Sequence, residues 1–206
     1  MIINLYSLMD LPVRDGGSTL LIGPTLSGRR RLFYRLLAES PGRPTVVATR
    51  EPTTCLRSRY HRLTDGDEST PIVIDCITNS LGRSEEDTET TKYAQDPSNL
   101  TSIGTKFTHV LDQHETDQLS VGLTNLSPLL VYTSPSDVVQ FVHVLLQKSI
   151  GTDSPVIATI DPSVHDASAV QQFVPLFDGV VETRRSDNGD QEFRVQKPEH
   201  TEWEAF

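Results

Sequence analysis

The apolar positions of the chain fall into five short runs that alternate with stretches of helical periodicity. The runs predict buried β-strands at Thr19–Gly23, Thr45–Thr49, Pro71–Asp75, Ser120–Thr124 and Pro155–Ile160. The intervening stretches predict helices at Arg29–Glu39, Thr53–Leu63, Leu100–His114, Ser136–Ile150 and Asp166–Phe177. This alternation predicts an α/β fold of three layers, in which helices cover both faces of a mainly parallel central sheet.

The pattern changes near the end of the chain. Residues 179–184 and 191–195 read as two strands, and Asn188-Gly189 between them is a strong tight-turn signal. We therefore predict a C-terminal antiparallel hairpin beside the parallel sheet. The polar, acidic segment Gly82–Asn99 predicts a mobile loop.

One domain is predicted over residues 1–197, with a C-terminal tail over residues 198–206. The tail holds the only tryptophan, Trp203, and ends in Phe206. Aromatic side chains in such a tail dock on a partner, or, as is more common, the tail packs on its own domain or is disordered.

Charge is distributed unevenly along the chain. Residues 1–62 carry ten Arg against four acidic residues, a net +6, whereas the remainder carries 8 basic and 24 acidic residues, a net −16. The acid-rich, lysine-poor composition predicts a halophilic protein from a high-salt cytoplasm, and an ordinary acidic mesophilic protein is the alternative. Nucleic-acid binding is disfavoured by the acidic balance, although the basic first third leaves a local exception open.

Membrane and secretory features are missing from the sequence. No apolar run approaches the ~18 residues of a spanning helix, so no membrane contact is predicted. The start Met1–Tyr6 lacks the basic and apolar regions of a signal peptide, which predicts a cytoplasmic protein. The two cysteines, Cys55 and Cys76, are too few for a disulfide or metal framework.

The most informative motif is Gly23-Pro-Thr-Leu-Ser-Gly28-Arg-Arg30, which lies between the first predicted strand and the first predicted helix. This G-x-x-x-x-G spacing in a strand–loop–helix context is typical of a phosphate-binding P-loop. The candidate nucleotide- or anion-binding residues are Gly23, Ser27, Gly28, Arg29 and Arg30.

Two residues of a working P-loop are replaced. Arg29 stands where a lysine would reach the phosphates, and Arg30 stands where a Ser or Thr hydroxyl would hold Mg²⁺. Arg29 keeps a positive charge, but Arg30 has no lone pair for a metal, so we expect poor Mg-NTP chemistry. A helix N-terminus disfavours cations, so the arginines require a phosphate, another anion or a carboxylate nearby. The alternative is a solvated basic helix start.

The chain resembles the RecA/KaiC-like P-loop ATPases, and most closely a degenerate haloarchaeal group labelled HTR-like. The similarity covers about residues 18–196. It depends on the order of Leu21–Gly28, Ile74–Cys76, Asp96–Gly104, Val121–Tyr132 and Phe177–Glu182. The resemblance implies a RecA-like fold with ATP or another nucleotide as ligand, while the residues themselves define no cofactor. It also implies a protein partner or a homo-oligomer.

Departures from the active family pattern concern the acidic residues. Where the family has a metal-holding carboxylate after the fourth strand, this chain has Thr124 and Asn125. Glu51 stands near the place of the catalytic glutamate and is a candidate base, but we favour a structural pairing with Arg50 or with the arginines at positions 29–31. Asp75 either replaces the metal carboxylate or, as we favour, neutralises Arg29 or Arg30.

These departures predict a non-catalytic, pseudo-ATPase module with a regulatory or interaction role. Its metal–phosphate site lacks three parts at once, and phosphoryl transfer depends mostly on electrostatic positioning. The alternative is a weakly active Mg-dependent NTPase that uses Arg29 with Glu51 and Asp75.

Overall fold

The computed structural model describes residues 11–12, 16–64 and 69–206. The predicted lack of a signal peptide at Met1–Tyr6 lies outside the described residues. None of the helices within the described ranges is long and apolar enough to cross a membrane.

Nine strands form a single sheet in the order β4-β3-β2-β5-β6-β1-β7-β8-β9. The strands are β1 (Ser18–Ile22), β2 (Arg43–Ala48), β3 (Ile72–Asp75), β4 (Thr91–Tyr93), β5 (Leu119–Leu123), β6 (Val156–Ile160), β7 (Gly179–Arg185), β8 (Gln191–Lys197) and β9 (Glu204–Ala205). The pairs from β4 to β7 are parallel, whereas β8 and β9 run antiparallel to their neighbours. The predicted mainly parallel sheet with a C-terminal antiparallel hairpin is therefore confirmed.

Six α-helices accompany the sheet within the described ranges. They are α1 (Arg29–Glu39), α2 (Thr53–Leu63), α3 (Leu100–Gln113), α4 (Ser127–Tyr132), α5 (Pro135–Ile150) and α6 (Ala167–Gln171). Short 3₁₀ turns lie at Asn79–Leu81, Pro162–Val164 and Val174–Leu176.

Two hydrophobic cores lie on opposite faces of the sheet. Helices α1 and α2 contribute to the core that contains Val46, and α3 and α5 contribute to the core that contains Val47. Successive residues of β2 thus point into different layers, as the two-residue period of a strand requires. The central strands are buried on both faces, which explains why they read as continuous apolar runs. The three-layer α/β architecture is confirmed.

Four elements differ from the sequence-based expectations, and one of them is strand β9, which lies within the predicted tail. The predicted loop Gly82–Asn99 contains strand β4, whose three residues are too few to show a period. Helix α6 is shorter than predicted and is followed by a 3₁₀ turn at Pro175, which lacks the N–H that a continuing helix needs. Helix α4, six residues long, was not predicted.

The aromatic residues of the tail pack on their own domain. The guanidinium groups of Arg184 and Arg194 both lie over the ring of Trp203, at 4.1 and 4.6 Å from its centroid. Phe206 is buried and makes an edge-to-face contact with Phe193 at a centroid distance of 5.6 Å. Both residues therefore help to cover the hairpin.

We expect Gly122→Ala in β5 to lower the free energy of unfolding by about 1–3 kcal/mol, because it overpacks the layer under α1. A Cβ at Gly122 would lie 2.7 Å from Phe33 Cζ and 3.2 Å from Leu37 Cδ2. The control is Gly104→Ala in α3, where the nearest atom is Phe141 Cε2 at 3.9 Å. That variant gains helix propensity and should be about 0.5–1 kcal/mol more stable. Urea denaturation measures both, and equal effects would contradict the packing.

Candidate functional site

The chain reverses its direction across the sheet between β2 and β5. After β2 the chain continues to β3 through α2, and after β5 it continues to β6 through α5 on the opposite face. Ligands of open α/β sheets bind beyond the carboxyl ends of the strands at such a switch point. Thr49 and Arg50 follow β2 here, and Thr124 and Asn125 follow β5.

The candidate phosphate loop, Gly23–Gly28, connects β1 to α1 as predicted. Leu26 and Gly28 have positive φ angles of 70° and 87°. A side chain at Gly28 would also collide with Phe206, whose Cζ would lie 2.5 Å from a Cβ. Ser27 is buried, and its Oγ lies 2.6 Å from Thr183 Oγ1. The hydroxyl of Ser27 is therefore engaged with β7.

Arg29 points into the protein and lies beneath the loop. Its Nη1 donates hydrogen bonds to the carbonyl oxygens of Gly23 and Ile160, and its Nη2 lies 3.7 Å from Asp161 Oδ2. Burial lowers the pKa of Arg29 to about 10, and the charge of Asp161 opposes this shift. Arg29 therefore remains charged at neutral pH and joins the loop to the end of β6.

Asp161, which sequence reasoning missed, is the counter-ion of Arg29. Its carboxylate also accepts hydrogen bonds from Ser163 N at 3.0 Å and from Thr25 Oγ1 at 3.1 Å. Burial alone would raise the pKa of Asp161, but the bonds from Ser163 and the charge of Arg29 lower it. Its place directly after a buried parallel strand was the signal available in the sequence.

Glu51 forms an ion pair with Arg59 of α2. Arg59 Nη2 lies 2.7 Å from Glu51 Oε2, and its Nε lies 3.0 Å from Oε1. Tyr34 donates a further hydrogen bond to Oε1 at 3.3 Å. Glu51 is thus engaged in an ion pair, but its partner is Arg59 and not Arg50 or the arginines at positions 29–31, so the predicted partners are wrong.

The predicted pairing of Asp75 with Arg29 or Arg30 is wrong. Asp75 instead holds the main chain around it in place. Thr53, Ile77 and Thr78 donate five hydrogen bonds of 2.7–2.8 Å to its two oxygens, three from main-chain N–H groups and two from hydroxyls. Burial alone would raise the pKa of Asp75, but these bonds lower it. They fix the start of α2 and the turn after β3.

The residues after β5 also hold the main chain in place. Asn125 Oδ1 accepts a hydrogen bond from Ser127 N at 3.0 Å, and Thr124 Oγ1 accepts one from Thr49 N at 3.1 Å. Among the described residues, no cluster of three or more His, Cys, Asp or Glu side chains could hold a metal ion.

Three arginines around the loop form no salt bridge within the described residues, although the charge of Glu51 acts on Arg30. Arg30 and Arg50 are exposed, and Arg31 is half-buried. Arg30 and Arg50 line a cavity of about 150 Å³ beside Glu51, and all three line one of about 230 Å³ over the loop. Burial and the neighbouring charge of Arg59 lower the pKa of Arg30. We call Arg30, Arg31 and Arg50 the arginine cluster; its geometry suits a multivalent anion.

The chain belongs to a family of unknown function, DUF7504, whose model matches residues 16–183. A search of curated proteins finds no match. The fold of the chain is similar to that of the uncharacterized protein PH0321 from Pyrococcus horikoshii, whose structure was solved in complex with an unknown peptide. The TM-score is 0.66 at 12% sequence identity, over 88% of this chain and 84% of that one. At this identity the likeness concerns the fold alone.

We expect Asp75→Asn to lower the free energy of unfolding by about 2–4 kcal/mol at neutral pH, because an amide NH₂ would face donors of Thr53 and Thr78. In the folded native protein the pKa of the Asp75 carboxyl is lowered, so as pH falls this carboxyl is protonated in the unfolded state first. The difference in the free energy of unfolding between the native protein and Asp75→Asn is therefore complete above the ordinary pKa of 3.8. It declines as pH falls through the lower pKa of Asp75 in the folded protein.

Urea denaturation at a series of pH values measures this difference. The control is Asp187→Asn in the exposed turn of the hairpin, which should change stability by less than about 0.5 kcal/mol. A difference between the native protein and Asp75→Asn that persists unchanged far below pH 3.8 would contradict the role of the ionised carboxylate.

Proposed function

We propose that this chain is a degenerate RecA/KaiC-like P-loop module that binds a phosphate-bearing ligand without hydrolysing it and acts as a regulatory or interaction domain. One observation carries the proposal. Every charged group that hydrolysis would require at the loop is engaged elsewhere, whereas the arginine cluster is unpaired within the described residues. Arg29 is bound to Gly23, Ile160 and Asp161, and Glu51 is bound to Arg59.

The alternative, a weakly active Mg-dependent NTPase, requires these groups to be released. Arg29 would have to leave a buried ion pair, and Asp75 would have to leave five hydrogen bonds. Removing one partner from such a buried pair costs about 3–5 kcal/mol. We therefore favour binding without turnover, because phosphoryl transfer needs these charges preorganised around the phosphate.

The arginine cluster supports the binding part of the proposal. Arg30 and Arg31 belong to the first turn of α1, which contains no acidic residue, and Arg50 lies across the cavity from them. Arginine forks and helix N-terminal amides both favour phosphate oxygens. The cluster concentrates positive charge in a chain of net charge −10, so a bound anion would relieve local repulsion.

Protein interaction is the second part of the proposal. The fold neighbour PH0321 was solved with an unknown peptide, which supports a role in contacting other proteins. We propose a protein partner or a second copy of the chain. Sedimentation with and without nucleotide tests assembly, and a monomer under all conditions would count against self-association.

We expect ATP with Mg²⁺ in high KCl to raise the melting temperature, since a ligand of the native state stabilises it, while phosphate release stays at background. Arg50→Ala should weaken binding about tenfold, because it removes a charge-assisted contact of about 1.4 kcal/mol. The control is Arg83→Ala in an exposed loop, which makes the same change in net charge and should bind as the native protein.

Thermal shift, calorimetry and phosphate release give three distinct results. Mg-dependent release that is lost in Glu51→Gln would establish the NTPase instead. Equal losses of affinity in Arg50→Ala and Arg83→Ala would show that net charge, and not the arginine cluster, attracts the ligand.

A further inference from the structure

A larger cavity adjoins the arginine cluster on its other side. It has a volume of about 480 Å³ and is lined by residues that follow β2, β3, β4 and β5. Arg50 lines this cavity as well as both smaller cavities at the loop. A ligand held by Arg50 through a phosphate can therefore extend into this space, which lies beyond the strand ends at the switch point.

One wall of the cavity offers a flat, apolar surface. Tyr132, the last residue of α4, is 69% exposed, and its ring contacts no other aromatic ring in the described ranges. Pro97 and Pro128 line the same cavity. An exposed tyrosine ring beside proline rings is a surface on which a planar base stacks.

The cavity also contains a carboxylate whose position is fixed by hydrogen bonds from the residues that follow it in the chain. Asp96 Oδ1 accepts hydrogen bonds from the main-chain N–H of Ser98, at 2.7 Å, and from its hydroxyl. The Ser98 hydroxyl bond lowers the pKa of Asp96, so the group is ionised at neutral pH. A hydrogen bond from the main-chain N–H of Asn99 also lowers the pKa of this carboxyl. A fixed carboxylate of this kind accepts hydrogen bonds from the hydroxyls of a ribose.

We propose that the ligand is a nucleotide bound across Arg50, with its phosphate at the arginine cluster and its nucleoside in the Tyr132 cavity. This inference rests on the proposed function, since it places the phosphate at the same arginines. In this arrangement the base stacks on Tyr132, and the ribose hydroxyls donate to Asp96. Arg50 is the residue common to the two halves of the site.

The arrangement explains why the phosphate end lies outside the loop interior. Arg29 occupies the space beneath the loop, so the phosphate contacts Arg30, Arg31 and Arg50 at the surface. The nucleoside then extends towards β3 and β4, away from the hairpin. Gln191 and Phe206 cover the loop on the hairpin side, where Gln191 Nε2 donates to Leu26 O at 3.3 Å.

Isothermal titration calorimetry with AMP, adenosine and inorganic phosphate tests the proposal on the full chain. We expect AMP to bind at least about tenfold more tightly than phosphate, because stacking on an aromatic ring contributes to its affinity alone. Tyr132→Ala should lower the affinity for AMP about tenfold and leave that for phosphate unchanged. The control is Val131→Ala, the preceding residue, which is 65% exposed and should bind both probes as the native protein does.

The outcomes separate this inference from the proposed function. If AMP and phosphate bind equally, and Tyr132→Ala changes neither, the nucleoside site is overturned while anion binding at the arginine cluster stands. If neither AMP nor phosphate binds, both proposals fail. If Asp96→Asn and Tyr132→Ala each weaken AMP but not phosphate, the two halves of the site are established.

Discussion

The buried guanidinium of Arg29 is the interaction on which the rest of the site depends. A charge in the interior must find acceptors, and Arg29 finds them in Gly23 O, Ile160 O and the carboxylate of Asp161. Gly23 directly follows β1, Ile160 is the last residue of β6 and Asp161 follows it. The two strands are parallel neighbours, so these groups lie close together. The loop is therefore held in shape by the protein itself and does not need a bound phosphate to organise it.

The acidic residues near the loop are engaged in other interactions, which explains the positive charge of the surface at the arginine cluster. Asp161 compensates Arg29, Glu51 compensates Arg59, and Asp75 fixes the start of α2. Within the described residues no carboxylate forms a salt bridge with the arginine cluster, although the chain as a whole is strongly acidic. An unneutralised cluster beside a helix N-terminus has an electrostatic cost that a phosphate would relieve. The proposed binding and the proposed lack of hydrolysis thus have a common structural explanation.

Sequence reasoning was most successful where one period dominates. The five buried strands and the long helices were predicted to within about two residues, because apolar runs and helical spacing are strong local signals. Strand β4 was missed because three residues cannot show alternation. The shortening of α6 follows from Pro175, which is a local signal that the sequence contains.

Pairing between distant charges was harder to predict. The sequence marked Arg29 as an odd residue at a helix start and required a negative partner for it, but it assigned that partner to Asp75. The end of β6 lies beside β1, whereas β3 is separated from β1 by three strands, so Asp161 is the carboxylate within reach. That order of strands is a tertiary property, which no local pattern contains. The partner of Glu51 was also missed: the sequence suggested Arg50 or the arginines at positions 29–31, whereas the ion pair is made with Arg59 on the helix that follows.

A double-mutant cycle between Arg29 and Asp161 tests the central claim most directly. Urea denaturation would give the free energies of unfolding of Arg29→Met, Asp161→Asn and the double variant. If the buried pair organises the loop, each single variant is strongly destabilised and the coupling energy is about 1–3 kcal/mol. Additive effects, within about 0.5 kcal/mol, would contradict the claim. If Arg29→Met also abolished nucleotide binding at unchanged stability, Arg29 would be a ligand-binding residue and not a structural one.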